Sequence, residues 1–294
     1  MFDGLYTDAF SVAPYIDRST SDLVWNIGAG ASANNTPNIL SELTYEKLKS
    51  SGWGINLGYL KKLNNQWAFN IEADIATSKI KNGDVQDSDY EGNNRTEEFS
   101  RSYADAEGDG INRKSLALGF KYRWFSTKGH YAGILLGKQD YNFDILMVNG
   151  VQIIPDEYSG MSIPNLNSTY ESTFDSTFLS LSSEHVFEWG TVGVRYEYHL
   201  AEFDAKANRN LREEFAHPVS FAHTAEGDGA TLTIGSTYTL DRSWDVFATW
   251  TQRQFDFEDG YDHTFFADGE SVVLRLNEVE YKAEVLQGGV RYIF

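Results

Sequence analysis

Apolar and polar residues alternate one for one along several stretches of this chain. Val192, Val194, Tyr196, Tyr198 and Leu200 are interleaved with Gly193, Arg195, Glu197 and His199. Leu116, Leu118, Phe120, Tyr122 and Trp124 alternate with Ala117, Gly119, Lys121 and Arg123. The same period runs through Trp67, Phe69, Ile71, Ala73 and Ile75 against Glu72 and Asp74, and through Trp53, Ile55, Leu57 and Tyr59 against Gly54, Asn56 and Gly58. A period of two places successive side chains on opposite faces of a β-strand, so each stretch predicts a strand with one greasy and one wet face. Short turn signals at 61–65, 126–129, 183–185 and 241–243 alternate with long polar stretches at 32–45, 78–110, 146–170, 204–228 and 257–278. Four short turns and five long loops join ten strands.

The wet faces carry both signs of charge in mid-strand, beside Gly and Asn. Glu72, Asp74, Lys121, Arg123, Arg195, Glu197 and Arg291 can compensate one another if they share an interior, whereas a soluble sandwich would turn such a face to solvent. The last residues, Val290, Tyr292 and Phe294 on one face with Arg291 on the other, read as a strand that closes a ring against the first. The sequence therefore predicts an all-β fold: a ten-stranded antiparallel transmembrane β-barrel with long extracellular loops, one domain over 1–294, with 1–20 as a segment before or entering the first strand. Ten strands leave a narrow lumen, better filled by side chains than open as a wide channel.

Composition agrees with that picture. No run approaches the ~18 apolar residues of a transmembrane helix, and closed barrels are the other way to satisfy backbone groups in lipid. Mean hydropathy is only −0.42 and aromatics reach 15%, as expected when half of each strand faces a polar interior. Cysteine is absent, which suits a surface protein without disulfides. Met1-Phe2-Asp3-Gly4 reads as a mature start with an added Met and no signal peptide.

The formal charge of −19 is concentrated. Residues 82–110 carry nine acids against Arg95 and Arg101, residues 142–176 five acids and no base, and residues 256–280 eight acids against Arg275. Such a rim attracts cations and repels polyanions, which excludes nucleic acid as a partner; the plain alternative is that charged loops keep a surface protein solvated. Ala106-Glu107-Gly108-Asp109-Gly110 recurs as Ala225-Glu226-Gly227-Asp228-Gly229. It reads as a shared turn rather than a calcium loop, because EF-hand spacing is missing. No metal site is expected.

Gly83-Asp84-Val85-Gln86-Asp87-Ser88-Asp89-Tyr90 lies where the third strand leaves the membrane. Here the chain resembles the omptins, ten-stranded outer-membrane proteases whose second loop opens with Asp-x-Asp and an aromatic. The 21-residue step from Gln66 to Asp87 keeps the family register without a gap, and Ser41 to Tyr45, Tyr261-Asp262-His263 and Glu280 to Phe294 also match. The resemblance spans roughly residues 22–294.

That resemblance implies two opposed pairs and a water that attacks the peptide carbonyl. Asp87 and Asp89 match the first pair. The second falls at Phe203-Asp204-Ala205-Lys206, where Asp204 matches and Lys206 replaces the expected His. A protonated Lys cannot serve as the general base that His supplies near neutrality. The plain reading of Asp87 and Asp89 is a solvated loop entrance. His199 reads as a satisfied lumen histidine beside Glu197, while His217, His223 and His263 fall in the polar loops, where spacing supports none of them.

Other implied sites fade as well. Asn34 and Asn35 stand where an acidic specificity residue is expected. Lys138, Asp140 and Asn142, with no Arg around Phe174, match the family's lipopolysaccharide site poorly, so no cofactor is expected beyond a possible lipopolysaccharide. Tyr90, Tyr261, Asp262 and His263 are the candidate binding residues. The expectation is a monomer in the bacterial outer membrane with extracellular loops: an omptin-like surface protein, non-proteolytic or weakly active, whose acidic loops bind a partner in the manner of an adhesin. The alternative is an omptin-type endopeptidase acting on cationic peptides, and a host or surface ligand is the other partner class.

Overall fold

The computed structural model describes residues 8–32, 34–124 and 129–294. Its long strands are β1 (Ala9–Ile27), β2 (Ser41–Lys62), β3 (Trp67–Gly92), β4 (Thr96–Arg123), β5 (His130–Ile154), β7 (Ser168–Val186), β8 (Gly190–Asn208), β9 (Phe221–Thr239), β10 (Trp244–Phe265) and β11 (Ser271–Ile293). The two-residue β6 (Ser162–Ile163) only flanks β5. Each long strand pairs antiparallel with its sequence neighbour, β4 pairs β5, and β1 pairs β11 from Ser11↔Ile293 to Ile27↔Leu276. The ten strands thus form a closed ring with no unpaired edge.

Strand length divides the ring into two storeys. A tilted strand crosses the hydrocarbon layer in about 9–11 residues, yet these strands run 19 to 28 residues. Near the short turns, the outward positions are the apolar ones. Ile16, Trp53, Ile75, Leu116, Leu118, Val192, Val194, Tyr196 and Leu286 all stand exposed on the outer wall, as a lipid-facing surface requires. The inward positions at this level are charged and paired. Arg113 lies 2.7 Å from Asp74, Arg195 2.7 Å from Glu72 and Lys121 2.9 Å from Glu184, while Arg291 pairs with Asp245. Of the expected interior set, Glu197 approaches His199 at 3.7 Å.

Beyond the apolar belt the pattern inverts. Outward positions become polar and the lumen fills with rings: Trp25, Tyr45, Tyr170, Phe174, Phe203, Phe255, Phe257 and Tyr281 are fully buried. Phe174 sits at their centre, 5.3 Å from Phe143, Phe203, Phe257 and Tyr281. Such ring pairs add about 0.5–1.5 kcal/mol each beyond area burial. His199 marks the boundary, packed between Phe178 and Phe255 with its nitrogens 3.1 Å from Ser176 Oγ and 3.3 Å from Thr231 Oγ1.

Several expected boundaries move. The stretches expected as long loops are mostly strand, and the connections at this end shrink to 28–40, 93–95, 155–167, 209–220 and 266–270. Outward polar residues gave those strand extensions a loop-like composition. The turn expected at 183–185 falls at 187–189, because Ser183 and His185 still pair within β7 and β8. The turn expected at 126–129 lies largely outside the described residues. β1 takes in much of the 1–20 segment. The repeated Ala-Glu-Gly-Asp-Gly is strand in both copies, not a turn. Its glycines serve close approach: a Cβ at Gly108 would meet Asp144 O at 2.0 Å, and one at Gly229 would meet the Phe255 ring at 2.4 Å.

Candidate functional site

Two β-bulges decide which carboxylates enter the lumen. On β3 the inward positions run through Ala76, Ser78 and Ile80. Register slips between Ile80 and Asp84, and inward positions resume at Gly83 and Val85. An extra residue in a strand inverts the parity of everything beyond it, so Asp87 and Asp89 follow Val85 inward. On β10 the same happens at Asp259, whose φ is +54°. Before it Phe255 and Phe257 point inward; after it Asp262 and Thr264 do, while Tyr261 and His263 face out.

β3 and β9 lie diametrically opposite, with four strands between them on either side. From the β3 wall, Asp87 Oδ2 receives Arg209 Nη2 at 3.2 Å. Arg209 comes from the loop after β8, held by its amide donating to Ser220 Oγ at 2.9 Å. Its guanidinium also stacks 5.6 Å from the Phe221 ring and donates toward Met147 Sδ at 3.4 Å. Burial alone would lower its pKa; Asp87 together with Tyr45, Asp89 and Tyr170 more than offsets this and holds the guanidinium above its ordinary value. Asp89, beside Ser41 in the β2 register, is pushed up to about 6 by burial first and by the Asp87 charge second.

The opposite wall carries a dyad that spacing along the chain does not reveal. His223 of β9 places Nε2 3.0 Å from Asp262 Oδ2, and its Nδ1 lies 2.9 Å from the Tyr170 hydroxyl. Thr264 donates to the other Asp262 oxygen at 2.6 Å. The imidazole is fully buried, with Trp25, Phe221 and Tyr170 rings at 4.6, 5.0 and 5.8 Å. Burial holds the Tyr170 phenol well above its ordinary pKa, so it remains a hydrogen-bond donor. A neutral imidazole satisfies the set if Nε2–H donates to Asp262 and Nδ1 accepts from Tyr170. Neither nitrogen is then open to a water.

The expected second pair is not here. Asp204 and Lys206 share the parity of Val192 to Leu200 and stand exposed on the outer wall, because Phe203, Ala205 and Ala207 occupy the inward positions between and beside them. They cannot face Asp87 and Asp89 across the lumen. Of the binding candidates, Tyr90 is buried and its amide donates to Leu40 O at 2.8 Å, and Asp262 belongs to the dyad; Tyr261 and His263 remain exposed. Asn34 and Asn35 are exposed in the 28–40 loop. His217 is exposed beside Asn208, 2.7 Å away. His223 is strand and buried, not loop. Among the described residues no group of three His, Cys, Asp or Glu could hold a metal ion.

A family model, Pom: Protochlamydia outer membrane protein, matches residues 18–294. The outer membrane protease OmpT from Escherichia coli superposes with a TM-score of 0.76 at 12% identity, covering 97% of each chain. The translocator domain of the autotransporter NalP from Neisseria meningitidis reaches a TM-score of only 0.41 at 12% identity, over 99% of this chain and 91% of that one. No curated protein matches by sequence.

Proposed function

The chain belongs to the Protochlamydia outer membrane protein family and has an omptin-like fold; from that premise we propose that it is a non-proteolytic surface protein whose acidic loop end binds a cationic partner. The turns face the periplasm and the strand extensions stand outside the cell. The observation that carries the reading is the Arg209–Asp87 ion pair across the lumen. It occupies the carboxylate that a hydrolytic water would need, while His223 has both nitrogens engaged. A general base must have a lone pair within reach of the water it deprotonates. Tyr261 and His263, exposed on the outer face of β10 at an end rich in acids, are the proposed partner contacts.

The second reading, an endopeptidase for cationic peptides, rests on one observation. An acid pair on β3 opposes a His–Asp pair on β9 and β10. Catalysis would then require Arg209 to leave Asp87 and His223 to release Tyr170. Incubating refolded protein with a mixed peptide library, with and without lipopolysaccharide, and reading products by mass spectrometry separates the two. The expected result is salt-sensitive retention of basic peptides without cleavage. Cleavage abolished by Asp87→Ala would overturn the non-proteolytic reading.

A further inference from the structure

The outer wall is electrically divided at the edge of its apolar belt. Moving from the apolar belt toward the loops, the first charged outward side chain on each strand of one half is basic: Arg18 on β1, Lys49 on β2, Lys79 on β3, Lys114 on β4 and Lys138 on β5. On β7, β8, β9, β10 and β11 the first is acidic: Asp175, Glu202, Asp228, Asp256 and Glu284. Both sets are contiguous in the ring, and their middle strands, β3 and β9, are diametrically opposite.

The apolar surfaces beneath the two arcs can both receive a neighbour. Under the acidic arc and the adjoining β1, small residues Gly235, Ala248 and Gly288 open a groove of about 540 Å³ between Ile234, Trp250 and Leu286. Under the basic arc, Trp53, Ile75, Leu116 and Leu136 are each more than half exposed and offer apolar side chains to a neighbour.

We propose that copies of this chain pack side by side in the membrane, the β1–β5 half of one against the β7–β11 half of the next. An anionic lipid would account for the basic arc but would be repelled by the acidic one. A second copy, inserted in the same orientation and at the same depth, meets each arc with the opposite sign. The contact is heterologous, and because the two halves are opposed, repetition gives an open row rather than a closed ring. The inference requires membrane insertion but not the partner-binding reading above.

The chain lacks cysteine, so single cysteines report the contact. Ile75→Cys on β3 and Ile234→Cys on β9, carried on differently tagged copies in liposomes, are treated with a short bismaleimide. Links between the two variants should exceed links within either by several-fold, and high salt should reduce them. Reversing one arc with Arg18→Glu, Lys114→Glu and Lys138→Glu should lower the mixed link several-fold. Reversing the other arc in the partner copy, with Glu202→Lys, Asp228→Lys and Glu284→Lys, should restore it. Heat-shifted migration on gels checks that each variant is folded, and Gln substitutions replace any that is not. Same-site links in excess, a mixed link indifferent to charge reversal, or native mass spectrometry finding an anionic lipid lost with the basic arc while no link forms, would each overturn the proposal.

Discussion

Arg209 and Asp87 meet at 3.2 Å although their strands are separated by three others around the ring in one direction and five in the other. The contact therefore crosses the lumen and ties two walls together just above the aromatic filling. Both groups are mostly buried. Arg209→Ala leaves Asp87 with a desolvated charge and should cost about 1–3 kcal/mol, read as a lower midpoint in detergent unfolding. A change within error would mean that the pair is loose in solution.

Asp89 should make stability depend on pH. Its folded-state pKa, about 6, lies above its ordinary value of 3.8, so the folded state holds a proton that the unfolded chain releases. The contribution is full below about pH 4 and is lost as pH rises through about 6. Asp89→Asn should therefore melt close to the parent at pH 4 and above it at pH 8, by about 1–2 kcal/mol after allowance for partial solvation. Equal melting shifts at both pH values would refute this.

Lys206→His places an imidazole on the outer wall, away from Asp87 and Asp89. No peptide cleavage should appear in the library assay, and stability should stay within about 0.5 kcal/mol of the parent. Emergence of activity dependent on Asp87 would show that β8 presents this position to the lumen.

Val194 stands in the apolar belt and is 43% exposed. Val194→Arg should destabilise the inserted barrel by about 2–4 kcal/mol, as for a cation near the bilayer midplane. Glu202→Arg, beyond the belt on the same face of the same strand, should cost less than about 1 kcal/mol. Equal costs in lipid-vesicle unfolding would argue against the placement of the belt.

The fold was legible because the membrane storey obeys a single rule. From Val192 to Leu200, or from Leu116 to Trp124, parity alone sorts lipid face from lumen. The same rule, continued without interruption along β8, places Asp204 and Lys206 outside; the omptin register suggested otherwise, and the parity is the better guide. His223 was hidden for a different reason. Its partners, Tyr170 and Asp262, lie 53 and 39 residues away, and only strand pairing brings them together. Asp262 reaches the lumen only through the bulge at Asp259, and bulges leave no periodic signature before registers are known. The upper storey resembles loop in composition for the inverse of the first reason: its greasy face looks inward, so the pattern persists but the exposed positions turn polar.

Bulges above the belt let the two storeys vary independently. Inserting or deleting one residue near Lys81 would exchange the entire lumen-facing set of upper β3 for its outward set, while Trp67 to Ile75 kept their lipid contacts. A single-codon indel at such a joint thus rewrites the chemistry at the barrel's mouth without disturbing its passage through the bilayer. Relatives built on this scaffold are expected to diversify there by length changes of one residue, in steps that swap whole faces at once, as well as by substitution.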